Sequence, residues 1–213
     1  MRQPAESCSH SPQTSTHPVD TLMAEHEVIL AVLEAMEKEA DALRKGASFA
    51  REKWARYPEF LRNFADRCHH GKEEDLLFPA MVERGVPDAG GPIGVMKSEH
   101  VEGRALVTKL AEAIQRGESR AAAAAANEFA ALLKDHIAKE NGVLFPMGKQ
   151  ILEPAIVERL VAGFARAEAE IMGPGTHCKY VELAQAICAD AGVEFAKARG
   201  TSFSGGCCGH HSM

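Results

Sequence analysis

Two stretches of the chain, HHGKEEDLLFP from His69 to Pro79 and HIAKENGVLFP from His136 to Pro146, superimpose without a gap. They agree at His69/His136, Lys72/Lys139, Glu73/Glu140, Leu77/Leu144, Phe78/Phe145 and Pro79/Pro146. Each is preceded by a shorter echo, Glu25-His26 before the first and Glu99-His100 before the second. The chain is therefore one unit, EH followed by HxxKExxxLFP, written twice. On a helix, a histidine and a glutamate four apart lie on one face, about one turn from each other. Two such faces and two single histidines, on four helices, converge on the core of a metal-binding bundle.

The rest of the chain agrees with four helices. Leu22, Ile29, Leu33 and Met36 recur at helical spacing with His26 in the same stripe, from a cap at Asp20 or Thr21 to about Lys45, where Gly46 ends the run. A second helix is expected from about Pro58 to Glu83, with a kink or early end at Pro79, before the breaker GVPDAGGP. A third runs from about Ile93 to Arg116 through Val95, Met96, His100, Leu106 and Leu110, and Gly117 closes it. The fourth opens at Ser119 and holds the Ala121 to Ala126 run, Phe129, Leu132, Leu133, His136, Glu140 and Leu144. An amphipathic stretch from Pro154 to Ile171 can cover one side, Gly173-Pro174-Gly175 ends the compact part, and 176–192 can form one more short helix.

Connections between these helices are mostly short, so neighbours should run antiparallel. Single histidines come early in helices one and three, and His/Glu pairs come late in helices two and four. Antiparallel packing brings all six groups to the same end. The expected fold is all-α, an up-down-up-down four-helix bundle with an extra C-terminal helix and a flexible Cys-rich tail. Residues 1–18, rich in Ser, Thr, Pro and Gln, are expected to be a disordered N-terminus, 19–172 the bundle domain, and 173–213 a short helix plus a Cys/His-rich tail.

Composition removes several functions. With a net charge of -6 and no long Lys/Arg run, neither nucleic acid nor an anionic membrane is an expected partner. No apolar run is long enough to cross a bilayer and the N-terminus lacks the apolar segment of a signal peptide, so a cytoplasmic location is expected. Cys8, Cys68, Cys178, Cys188, Cys207 and Cys208 lack a disulfide-scaffold rhythm and are expected to be reduced there.

One His/Glu pair four apart is common on helices and would mean little. Two copies sharing Lys, Leu, Phe and Pro at matching offsets, each with its own upstream EH, are a poor match to coincidence. The four imidazoles of His26, His69, His100 and His136 and the carboxylates of Glu73 and Glu140 suit two divalent transition metal ions. Each glutamate, one turn beyond its histidine, is placed to bridge the two ions.

The order H, HxxxE, H, HxxxE, with LFP after each glutamate and PIGVMKSEHVEG around the third histidine, resembles the hemerythrin-like (HHE cation-binding) family of non-haem di-iron four-helix bundles. Within it, HxxKEExxLFP and HxxxENxVLFP are closest to the iron-sulfur cluster repair (RIC) di-iron branch. The resemblance covers about residues 19–172. It implies a hemerythrin-like di-iron domain with two iron ions, bridged by oxide or hydroxide, held by His26, His69, His100 and His136, with Glu73 and Glu140 as bridging carboxylates. It also settles a register: His70 and Glu74 are four apart as well, but only His69 and Glu73 match His136 and Glu140 in their offset to Leu-Phe-Pro. His70 and Glu74 then fall to an outer shell or to solvent. Oxygen-carrying members place a further histidine where this chain has Arg104, and end the fourth motif with aspartate at a longer spacing where it has Glu140. RIC proteins generally carry a small cysteine-bearing domain ahead of the bundle, where this chain has only about twenty residues with Cys8.

The function implied is binding of, or reaction with, oxygen, nitric oxide or peroxide in stress defence or iron-sulfur cluster repair, with an iron-sulfur protein or redox partner. The alternative is a non-catalytic metal carrier or sensor that uses Cys178, Cys188, Cys207 and Cys208, with His177, His210 and His211, to pass iron or copper to a partner.

Overall fold

In the computed structural model, residues 16–173 and 175–195 are described. The expectations placed on residues 1–15 and on the tail beyond 195, with Cys8, Cys207, Cys208, His210 and His211, lie outside them. Every regular element among the described residues is helical. Helix α1 spans Pro18–Arg44. The second long helix is composite: α2 (Arg51–Phe60), π1 (Leu61–His70), π2 (Glu73–Leu77) and α3 (Phe78–Glu83) follow one another. Helix α4 is Pro92–Arg116. The next long helix joins α5 (Ser119–Lys139), π3 (Glu140–Leu144) and α6 (Phe145–Ile151), and α7 (Pro154–Ala167), π4 (Glu168–Met172) and α8 (Thr176–Ala191) complete the chain.

Three sequence expectations are corrected. The cap of α1 is His17, whose Nδ1 accepts the Val19 amide at 3.2 Å, rather than Asp20 or Thr21. Pro79 does not end its helix early, since the helix continues to Glu83, and a π-helical turn precedes it. Proline lacks the amide that would bond four residues back, and a turn closed by bonds five residues back, such as Phe78 N–H to the Glu73 carbonyl, rearranges the ladder before it arrives. The second LFP repeats this, with π3 leading into Pro146 and the Phe145 amide bonded to the Glu140 carbonyl. Finally, α8 is part of the compact body: it packs against α1 and α2 and buries Tyr180, Ala184, Ile187 and Cys188 in the main core.

The core is split by a polar layer. Below it lies a cluster with Val19 and Leu22 from α1, Leu77 and Phe78, Ile93 and Met96 from α4, and Leu144 and Phe145. Above it lies a larger cluster with Val28, Ile29 and Leu33 from α1, Phe60 and Phe64, Leu106 and Leu110 from α4, and Phe129 and Leu133 from α5. Ala122, Ala123, Ala125 and Ala126 are buried in it, and their small side chains let α5 approach its neighbours closely. The plane between the clusters holds His26, His69, His70, Glu73, His100, His136 and Glu140, all buried. Cys68 and Cys188 are buried free thiols, as expected, whereas Cys178 is disulfide-bonded, against expectation.

Candidate metal centre

Within the layer, each single-histidine and pair-histidine ring is anchored through Nδ1. His69 donates to Glu25 at 2.9 Å and His136 to Glu99 at 3.0 Å, so the glutamate of each EH holds the paired histidine of its own copy. His100 donates to Glu74 at 2.6 Å and His26 to the Asn141 side-chain oxygen at 2.9 Å, so the residue after each bridging-type glutamate holds the single histidine of the other copy. These bonds fix the ring planes and point Nε2 of all four rings inward. The lysines of the repeat close the frame, Lys72 bonding Glu25 and Lys139 bonding Glu99.

The inward atoms converge. His26, His69, Glu73 and Glu140 offer ligand atoms within 4.8 Å of one another, and so do His70, Glu73, His100 and His136. Glu73 belongs to both sets: its Oε1 is 3.4 Å from His69 Nε2 and its Oε2 3.4 Å from His100 Nε2. Glu140 Oε2 lies 3.2 Å from His26 Nε2 and 3.3 Å from His136 Nε2. Despite this proximity, both carboxylates and the Nε2 atoms of His26 and His69 make no hydrogen bond. His100 Nε2 and His136 Nε2 face each other at 3.1 Å, where two lone pairs can be reconciled only by a proton or a shared cation. Two buried carboxylates without partners are costly to fold. A pair of divalent cations satisfies all of these atoms together.

Protonation follows the same charges. Burial works against a charged His69, but Glu73 and Glu25 outweigh it and push the imidazole up to about 10. His136 is likewise raised against its burial by Glu140. Burial would raise the Glu140 carboxyl, yet the neighbouring His136 and His26 imidazoles, 3.3 and 3.2 Å away, hold it low. Metal binding at such a layer displaces protons from the imidazoles. On the outer side, the bond from His100 takes the lead over burial and, with Arg104, brings Glu74 down to about 2. Arg104 spans Glu74 at 2.6 Å and Asp66 at 2.8 Å.

A third acidic group, Glu25, Glu168 and His177, already has its cation. The Lys72 ammonium lies between Glu25 and Glu168, 2.9 Å from the latter. Burial would raise the Glu25 carboxyl, and Lys72 holds it well below its ordinary value.

All six residues proposed from sequence as ligands reach the layer. Glu74 takes the outer position expected for it, bonded to His100. His70 does not: it is 6% exposed, its ring stacks on His100 with centroids 3.8 Å apart, and it faces the cluster. The expectation assumed an α-helical rotation of about 100° per residue. The wider π1 turn spreads more residues over each revolution, so adjacent His69 and His70 both point inward. Glu25, Glu99, Lys72, Lys139 and Asn141 had no role assigned from sequence, although the repeat of EH and of Lys at matching offsets was the signal for four of them.

The sequence profile of the hemerythrin HHE cation binding domain matches residues 17–148, more than half of the chain. Among curated proteins, the iron-sulfur cluster repair proteins YtfE of Yersinia pestis (strain Pestoides F) and of Yersinia pseudotuberculosis (serotype O:1b, strain IP 31758) are each 41% identical over 87 residues, 37% of this chain and 39% of theirs. The aligned part is thus about two fifths of the length of those relatives. No solved structure matches the chain. The buried imidazole and carboxylate donors are those of a non-haem di-iron centre. A chain that builds one polar layer from two copies of the same unit, with every residue of that layer inside the matched span, belongs to the hemerythrin HHE cation-binding family.

Proposed function

We propose that the chain holds two iron ions through His26, His69, Glu73, His100, His136 and Glu140, and that a small ligand (oxygen, nitric oxide or peroxide) binds or reacts there, in stress defence or in the repair of iron-sulfur clusters. The observation that carries this reading is the pair of carboxylates, Glu73 and Glu140, each fully buried, without a hydrogen bond, and placed between imidazoles of opposite sets. Bound iron supplies redox and Lewis-acid chemistry toward the ligand. The chain's own residues do the rest: Glu25, Glu74, Glu99 and Asn141 hold the rings in register, and the apolar clusters on either side keep bulk water from the layer.

A cavity of about 230 Å³ leads to the layer between π1, α4 and α5. Leu61, Ala65, Val107, Phe129 and Leu133 make its walls, and His70, His100 and His136 its inner end. Arg62, Asp66, Glu99 and Arg104 also line it, but most of its wall is apolar, and a cavity of this size and character admits small uncharged molecules, which supports oxygen and nitric oxide. Cluster repair is supported by the names of the relatives, and its partner would be an iron-sulfur protein or a redox protein. The site would work in the cytoplasm; among the described residues no helix is long and apolar enough to cross a membrane.

Iron content and the visible spectrum, measured on protein purified with and without air, test the reading. Two irons per chain, with near-ultraviolet bands that change on reduction or on addition of nitric oxide, are expected. A folded protein that takes up zinc or no metal, or whose iron ignores all three ligands, would refute it.

A further inference from the structure

The two copies of the unit differ at one buried position. Aligned on His69/His136, the residue after the paired histidine is His70 in the first copy and Ile137 in the second. Ile137 is 3% exposed and belongs to the upper apolar cluster, so this place in the fold accepts an aliphatic side chain. In the first copy the same place holds an imidazole, equally buried, with neither ring nitrogen hydrogen-bonded. Outside the layer, Asp66 is 3.5 Å from Nδ1, too long for a hydrogen bond, and is bonded instead by Arg104. A buried imidazole without a hydrogen bond is unfavourable relative to the isoleucine of the other copy.

What the imidazole does face is the layer. One of its nitrogens lies within 4.8 Å of ligand atoms of Glu73, His100 and His136. Its ring stacks on His100 with planes 17° apart and meets His136 edge-on at 5.6 Å between centroids. Together the three rings form the inner end of the cavity. Among the described residues no fifth imidazole stands at the other set, where His26 and His69 are joined by Glu73 and Glu140.

Building on the di-iron reading, we propose that His70 is a fifth histidine ligand, binding the ion shared by His100 and His136 and making the two metal positions unequal. One position then has two imidazoles and the other three, and the three-imidazole ion is the one that borders the cavity. This accounts for the buried unpartnered ring, which a purely structural role leaves unexplained.

The test replaces His70 by the residue of the other copy, His70→Ile, in the full chain. Iron per chain, the rate of iron release to a chelator, the Mössbauer spectrum of iron-57 protein and the melting temperature of the metal-free form are measured for both. Wild type is expected to bind two irons in distinguishable environments. In H70I one iron should leave at least about tenfold faster, the lower end of what is lost when even an outer-shell partner of a ligand is removed. The two Mössbauer signals should converge, and the metal-free variant should melt no lower than wild type. Unchanged release rates and spectra in H70I would overturn the proposal while leaving the di-iron reading intact; failure of wild type to bind two irons would overturn both. Lower melting of metal-free H70I with unchanged release would assign His70 to packing and also overturn it. A second variant, His70→Ala, opens space beside the cavity, and added imidazole is expected to restore slow release in it. Absence of rescue in a folded H70A that has lost iron would count against ligation by this ring.

Discussion

Replacing Lys72 by methionine should cost far more stability than replacing Lys139, although the two lysines are equivalent in the repeat. Lys72 is 1% exposed and its partner Glu25 is fully buried, whereas Lys139 is 44% exposed and Glu99 is 16% exposed. Removing one member of a buried pair strands the other charge, a loss of about 3–5 kcal/mol. In the metal-free protein the neighbouring His69 imidazolium offsets part of the stranded Glu25 charge, so the lower end, about 3 kcal/mol, is expected for Lys72→Met. For a chain of this length that corresponds to a fall in melting temperature of about 6–12 °C. Lys139→Met removes an exposed pair and should cost about 1 kcal/mol or less. Adding Glu25→Gln to Lys72→Met removes the stranded charge while keeping an oxygen for His69, and most of the loss should be recovered. Urea denaturation of the metal-free variants reads all three values. Equal losses for the two lysine variants, or no recovery in the double variant, would refute the assignment of a buried pair on one side and an exposed pair on the other.

The remaining expectations concern the site and its surroundings. Glu73→Ala removes a carboxylate shared by both donor sets and should lower metal content to about half or less of wild type, read as iron per chain; full retention would contradict a bridging role. Gly103 lies in α4 at the cavity wall, and a Cβ there would meet Phe129 at 3.6 Å and Leu132 at 3.9 Å, ordinary contact distances. Gly103→Ala should therefore stabilise by about 0.5–1 kcal/mol, while Gly103→Leu should fill the cavity and slow the reaction with nitric oxide at unchanged iron content in stopped-flow absorbance. Burial pushes the thiols of Cys68 up to about 12 and of Cys188 up to about 11. Both should resist alkylation at pH 8 until the protein is unfolded. Because their folded values lie above the unfolded thiol value of 9.0, the stability they contribute is complete below pH 9 and should decline as pH rises toward 11, as denaturant titrations across that range would show.

The repeat made the bundle and the six inward groups legible because it is a statement about faces: residues four apart on a helix point the same way whatever surrounds them. The same periodicity misled at His70. An α-helical rotation turns His70 away from the layer, and nothing in LRNFADRCHH announces a π-helical turn, whose hydrogen bonds depend on how the helix packs against α4 and α8. Pro79 suggests a kink or an early end for a related reason, since a lone proline does not reveal that the preceding turn has widened. The anchoring by Glu25 and Glu99 was visible in principle as the recurring EH, but each bond joins residues far apart in the chain, 44 positions for Glu25 and His69 and 37 for Glu99 and His136. Only the packed bundle says which glutamate meets which ring. That Lys72 is buried and Lys139 exposed was not legible at all, because α7, π4 and α8 cover the first copy and, among the described residues, have no counterpart over the second. Phe164 of α7 lies beneath the Lys72 ammonium, 5.7 Å from it, and Glu168 of π4 supplies its second carboxylate.

The central claim, that this layer holds two metal ions, is tested most directly by anomalous diffraction at the iron edge from crystals of the iron-loaded protein. Two peaks are expected, one on each side of the Glu73 carboxylate, the first beside His26 and His69 and the second beside His100 and His136. A single peak, or density elsewhere such as among Glu25, Glu168 and His177, would contradict it.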